Sequence, residues 1–373
     1  MRSMAREYVT IPREMYLWAI ERAGYKADEF LMTHPDIAMY VDGEKKPTIK
    51  QLEGFASTVH VPMALLMLPS PPVETSPIPM FRGKAGNGKF DLNVYQTILD
   101  VQGRQEWLSD YLAENDLDEC PFVGKYDINT PVQEMSDNIR QLLNLEIDWM
   151  MQFNKPEKAI NYFVEKMEEA GICVFFNGIV GNNTHRTLDV DECRGFALVG
   201  DTNAPMIFVN NSDSKNAQLF TLAHEFAHVL VGVSAGYAGF EGEYHDMVES
   251  YCDKVAAEFL VPASLLRDNW TSIEVCAKMF NVSTLVIARR AHDLGIISSE
   301  EYRDFFLRYR ANVRIKKHSS GGAFYQTAAK RIGRLFALHI YNAVRSRQIS
   351  YTEAYRLTGL YGKTFDKFMT TSI

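Results

Sequence analysis

In the run Thr221-Leu222-Ala223-His224-Glu225-Phe226-Ala227-His228, two histidines stand four residues apart and a glutamate follows the first. On a helix such positions lie one turn above each other, about 6 Å apart, so both imidazoles can meet one cation. Zinc suits the pair: it takes imidazole nitrogen at about 2.0–2.1 Å and leaves an open position for water. Glu225 is rotated off that face, which makes it a poor ligand but leaves its carboxylate in reach of the water. The chemistry is hydrolysis at one zinc per chain, with the water's pKa lowered toward about 7 and Glu225 carrying its proton to a leaving amine.

Zinc needs a third protein ligand, and residues 247–260 read as the helix that supplies it. There Glu249 and Asp253 again stand four apart, which lets Glu249 bind the metal while Asp253 orients a ligand histidine from behind. His245, Asp246, Glu241, Glu243 and Glu258 compete with Glu249 for the ligand role. Tyr237, Tyr244 and His245 are candidate donors to the oxyanion of a tetrahedral intermediate, although each also reads as an ordinary loop residue. A strand containing Arg194, Gly195 and Phe196 could pair with an extended peptide substrate.

These side chains need a scaffold. The metal helix is expected over residues 214–231, stopping at Gly232, and the continuous apolar runs 172–176, 195–199 and 206–210 before it read as buried strands. The fold class is therefore α+β: a small zincin-like peptidase domain, built of a few-stranded sheet with the histidine helix and the glutamate helix, flanked by helical regions.

Residues 13–23, 26–33 and 49–59 read as short helices of a helix-turn-helix-like bundle. The helix preceding its Asp42-to-Thr48 turn carries no side chain suited to reading base edges, so DNA binding is not favoured there. Pro69, Pro71, Pro72, Pro77 and Pro79 mark an extended linker. The segment from Gly83 to Lys89 fits part of a phosphate loop, but Phe90 stands where Ser or Thr is needed, so it reads as a plain loop. Helices follow over 92–114, 131–153 and 156–170. Further on, 272–280 and 284–294 form a second helix-turn-helix-like pair carrying Arg289 and Arg290, read as an annex or docking element in preference to a groove reader. The resulting division is 1–68 (helix-turn-helix-like domain), 69–115 (linker and connecting helix), 116–266 (metallopeptidase) and 267–373 (basic helical region).

Composition fits an ordinary globular protein, with 46% apolar and 23% charged residues. No run approaches the roughly 18 apolar residues of a membrane span, and charges interrupt the first twenty positions, so a cytoplasmic protein is expected. Five dispersed cysteines argue against a disulfide framework. The net charge of −8 is uneven: from Glu301 onward there are 14 Lys/Arg against 4 Asp/Glu. That split suits contact within the chain or with a protein better than with nucleic acid.

With these residues in place the chain resembles the ImmA/IrrE family of metallopeptidases. The likeness runs through Asp191 to Val199, Ala204 to Asn210, Phe220 to His228, and Glu249 to Pro262, with Asp253 standing where the family usually has Asn. Late segments around Gly321 to Tyr325 and Gly359 to Asp366 are similar to longer members. The resemblance implies a site-specific zinc endopeptidase that cuts a helix-turn-helix repressor or antitoxin encoded nearby. The alternative it leaves is a regulator that acts by binding protein or DNA on a vestigial peptidase fold.

Overall fold

The computed structural model describes residues 8–72, 91–117, 120–200, 203–237, 243–312 and 324–371. The segment from Gly83 to Lys89, and Pro77 and Pro79 of the linker, lie outside these. The chain divides into two compact units, 1–75 and 76–373. Among the described residues no helix is long and apolar enough to cross a membrane.

The first unit packs α1 (Arg13–Arg22), α2 (Ala27–Thr33), α3 (Pro35–Val41), α4 (Ile49–Thr58) and α5 (Met63–Leu66) around Met15, Tyr16, Phe30, Leu52, Phe55 and Val59. Thr48 starts α4 through a reciprocal capping box with Gln51, which satisfies two otherwise orphaned backbone donors. His34 alone joins α2 to α3, its ring stacked on Phe30 at 4.1 Å.

The second unit opens with α6 (Leu92–Glu114), α7 (Val132–Leu143), a 3₁₀ turn (Trp149–Gln152) and α8 (Pro156–Glu169). The helix expected over 131–153 is broken. Asn144 adopts the left-handed conformation (φ 50°), and the Leu145 N–H closes back on the Arg140 carbonyl, a helix stop that Asn tolerates better than most residues. Then come β1 (Cys173–Asn177), the hairpin β2 (Ile179–Val180) and β3 (Asn183–Thr187), β4 (Gly195–Leu198), β5 (Met206–Asn210), α9 (Lys215–Val231), β6 (Ala235–Tyr237) and α10 (Glu243–Leu260). The four-stranded sheet has the order β1-β5-β4-β6, with β1 parallel to β5 and β4 antiparallel to both its neighbours.

Successive residues of a strand point to opposite faces, and here both faces are covered. Val174, Phe176, Ala197, Ile207 and Val209 meet Leu222, Ala223 and Phe226 of α9 together with α7, α8 and α10. Cys173, Phe175, Phe196, Leu198, Met206 and Phe208 face α6 and the C-terminal helices. This explains why the three main strands read as unbroken apolar runs. Gln105 of α6 ties its layer to the sheet, its buried amide donating to the carbonyls of Leu198 (3.0 Å) and Ala204 (2.9 Å).

After α10 follow α11 (Ala263–Asp268), α12 (Ile273–Met279), α13 (Thr284–Asp293), α14 (Ser299–Asn312), α15 (Phe324–Ile332), α16 (Arg334–Arg345), α17 (Tyr351–Thr358) and α18 (Gly362–Thr371). Cys276, Ala277, Phe280, Val282 and Ile287 share the apolar core of α9, so that core continues past residue 266. The turn between α12 and α13 is pinned by Asn281, whose amide donates to the carbonyls of Met150 (2.9 Å) and Phe153 (2.8 Å). Arg290 is paired with the buried Glu258 and donates to the Val261 carbonyl at 3.2 Å. The α12–α13 pair thus reads as an annex of this core.

Candidate metal centre

Helix α9 begins at Ser214, whose hydroxyl accepts from the Ala217 N–H, and ends at Gly232, which takes the left-handed conformation (φ 77°) that glycine adopts without a Cβ penalty. Between these ends it lies flat on the sheet. The approach is closest at Gly195 of β4: a Cβ there would stand 2.5 Å from Thr221 Cγ2, 2.8 Å from the Phe208 carbonyl oxygen and 3.4 Å from Glu225 Cγ. A bare Cα at this one position lets the helix settle deep enough to bury its functional residues.

His224, Glu225 and His228 are each fully buried. Helix α10 crosses α9 and brings Glu249 and Asp253 to it. His224 Nε2 lies 3.0 Å from His228 Nε2 and 3.0 Å from Glu249 Oε2, and His228 Nε2 lies 3.2 Å from Glu249 Oε1. On the far side of the first imidazole, Asp253 Oδ1 stands 3.1 Å from His224 Nδ1.

Three donor groups therefore converge on one point. Four ligands held tetrahedrally at about 2.0–2.1 Å are about 3.3 Å from one another. The observed separations of 3.0 to 3.2 Å match that spacing. His224, His228 and Glu249 together form a set able to hold a metal ion. Two imidazole nitrogens facing each other can share at most one proton without repulsion, whereas a cation between them satisfies both. The residues fit a divalent metal, and their nitrogen-rich character suits zinc.

The electrostatics agree. Burial opposes a charge on His224, but its contacts with Asp253 and Glu249 outweigh this and push its pKa up to about 10. Burial likewise favours a neutral Glu249, yet His224 and His228 hold it well below the usual carboxylate range. In the chain alone, positive charge belongs in this pocket.

Glu225 points elsewhere. Burial drives its pKa well above the usual carboxylate value, against the opposing pull of His224 and of the Ala197 backbone amide. Neither carboxylate oxygen forms a well-aligned hydrogen bond to protein. A buried acid kept from a partner is costly, and such groups concentrate where proton transfer is wanted.

The other candidates separate cleanly. Glu258 is spent on Arg290 and on the Ala263 N–H (3.2 Å), away from the cluster. The side chains of Tyr237, Tyr244 and His245, with those of Glu243 and Asp246 and the whole of Glu241, lie outside the described residues. The substrate-strand expectation needs correction. Gly195 and Phe196 belong to an inner strand whose two edges are taken by β5 and β6, and Arg194 faces Asp213 at 3.7 Å, so no free edge remains there for a peptide. Among the described residues the sheet edge on this side is β6. The role of Gly195 as a spacer under the metal helix went unread, although a glycine inside an apolar strand is the usual sign of close backbone approach.

Comparison with known proteins agrees with the geometry. No curated protein and no solved structure matches the chain at a significant level. Residues 332–371 match the model of a domain of unknown function, DUF8813. Residues 167–292 match the IrrE N-terminal-like domain, a peptidase family model whose span runs from the end of α8 through β1 to α13 and includes every residue of the metal cluster. The chain thus carries a peptidase domain of the ImmA/IrrE family at 167–292.

Proposed function

We propose that this protein is a zinc-dependent endopeptidase that cuts a specific regulatory protein, a helix-turn-helix repressor or antitoxin encoded beside it. The observation that carries the reading is the pairing of a three-ligand cluster with a buried carboxylate that lacks a well-aligned hydrogen bond, Glu225 next to His224 on α9.

His224, His228 and Glu249 would hold the metal. Zinc bound there supplies Lewis-acid chemistry, lowering the pKa of water and polarising the scissile carbonyl. Asp253 accepts from the Nδ1–H of His224, which fixes the tautomer that leaves Nε2 free to ligate. Glu225, with its affinity for a proton raised by burial, takes one from the attacking water and delivers it to the departing amide nitrogen.

A regulator acting by binding alone has no use for Glu225, a fully buried acid with no well-aligned hydrogen bond, whose burial costs stability. That cost favours catalysis over the vestigial reading.

The test is co-expression with the product of the neighbouring gene. One discrete cleavage product is expected with the parent chain and none with Glu225→Gln, and equal cleavage by both would remove the catalytic assignment. Metal analysis of the parent and of His228→Ala checks the ligand set: about one zinc per parent chain, and clear loss in the variant, follow from a three-ligand site.

A further inference from the structure

Residues 332–371 hold six Lys/Arg against two Asp/Glu in a chain whose net charge is −8. The uneven charge of the sequence suited contact within the chain or with a protein better than with nucleic acid. Among the described residues of this stretch, the ion pair that forms is Arg356 with Glu353, at 3.8 Å and on the surface. The other five cations are exposed, although Arg345 rests on the Tyr341 ring and Lys367 on the Tyr325 ring.

Its arrangement is that of a helix, tight turn and second helix supported by a third. Helices α17 and α18 are joined by Gly359, Leu360 and Tyr361 alone, and Gly359 makes the turn in the left-handed conformation (φ 68°). Ala354, Thr358, Leu360, Phe365 and Phe368 are buried, so one side of both helices faces the molecule. Tyr355 packs edge-on against Phe365 at 5.2 Å and braces the two helices. Short helices joined by a glycine turn, the second with one side free, are how many proteins present a helix to a DNA groove.

The free side is the decisive observation. Lys363, Asp366, Lys367 and Thr370 are exposed along α18, and Tyr361 at its start is 67% exposed. The other pair of this shape differs in its charge: on α13 Arg290 is tied to the buried Glu258, and Arg289 is the exposed cation. Of the two, α18 places two lysines and a threonine along one exposed face, where α13 leaves Arg289 as its exposed cation.

We propose that α16–α18 form a duplex-DNA-binding element in which α18 lays Lys363, Lys367 and Thr370 into the major groove. Lys363 and Lys367 neutralise phosphates or meet guanine edges, Thr370 supplies a hydroxyl, and Asp366 rejects phosphate but can accept from a cytosine amino group. Lys367 rests its Nζ 4.9 Å from the Tyr325 ring centre, a contact it would exchange for phosphate on binding. The proposal stands apart from the peptidase reading.

The experiment uses the full chain and a fluorescent mixed-sequence duplex of about 30 base pairs, with anisotropy read at about 50 and 200 mM salt. Binding in the micromolar range at low salt, weakened about tenfold or more at the higher, is expected. The double variant Lys363→Gln, Lys367→Gln should lose about tenfold in affinity and flatten the log–log salt slope by about 2, while its melting temperature falls by no more than a few degrees, since both side chains are exposed and the Lys367–Tyr325 contact is a surface one. No salt-dependent binding, binding by the double variant equal to the parent, or tighter binding to the single strand than to the duplex would each overturn the proposal.

Discussion

Asp253 accepts from the imidazole of His224 at 3.1 Å on the side of the ring away from Glu249, and so joins the two helices through the residue that most needs a fixed orientation. An acid behind a ligand histidine sets its tautomer and raises its basicity. Asp253→Ala is expected to weaken zinc binding about 10- to 100-fold, measured by competition with a chromophoric chelator. Asp253→Asn keeps an oxygen acceptor at the same place and should retain most of the affinity. Equal loss in both variants would mean that charge, not hydrogen bonding, is what counts.

Glu225 gives a prediction about stability as well as rate. Its pKa is raised in the folded chain, so the folded state holds this proton more tightly than the unfolded state does. The sign follows: below the unfolded value, 4.5, there is no penalty, and the penalty grows as pH rises from there through the folded value. In chelator-treated protein Glu225→Gln should therefore melt higher than the parent, with a gap that widens from acidic to neutral pH. Peptide cleavage should fall about 100- to 10,000-fold in the same variant, the usual contribution of a general base.

Adding one methyl group under the metal helix tests the packing. Gly195→Ala places a Cβ 2.5 Å from Thr221 Cγ2 and 2.8 Å from the Phe208 carbonyl. A cost of roughly 1–3 kcal/mol in urea unfolding is expected, together with weakened zinc binding as α9 lifts. Thr221→Ser in the same chain removes one of the two clashes and should restore part of the loss.

Arg290→Ala leaves Glu258 buried without its cation and should cost about 3–5 kcal/mol in thermal or denaturant unfolding. Replacing both residues by apolar ones of similar volume should recover most of that. DNA affinity should stay at the parent value in the double replacement, because Arg290 has no free face.

Much of this was legible in the sequence because periodicity and punctuation were strong. The helix ending at Gly232, the run from Leu92 to Glu114 and the three buried strands each had an unambiguous period or a clear stop. His224, His228 and Glu249 were readable since four-residue spacing fixes a helical face before any tertiary contact is known, and the structure brings them within hydrogen-bonding distance. Asn144 was missed inside an apparently continuous helix because a left-handed stop at a non-glycine residue has only a weak signature. The strands β2, β3 and β6 have two to five residues and no apolar run, so they exist by pairing alone. For the same reason Phe196 was read as an available edge: whether a strand is inner or outer depends on what arrives later in the chain, here β6.

The sheet lies between two layers, and the layer opposite the metal helix comes from α6 and the C-terminal helices, sequence on either side of the family-matched stretch. Phe175, Phe196 and Phe208 sit under that cover. Excision at 167 and 292 would strip those aromatic side chains and produce a sticky, aggregating fragment. The family-matched stretch and the unit that can be handled in a tube are different objects, and the smallest portable form of this fold must span from α6 to α18.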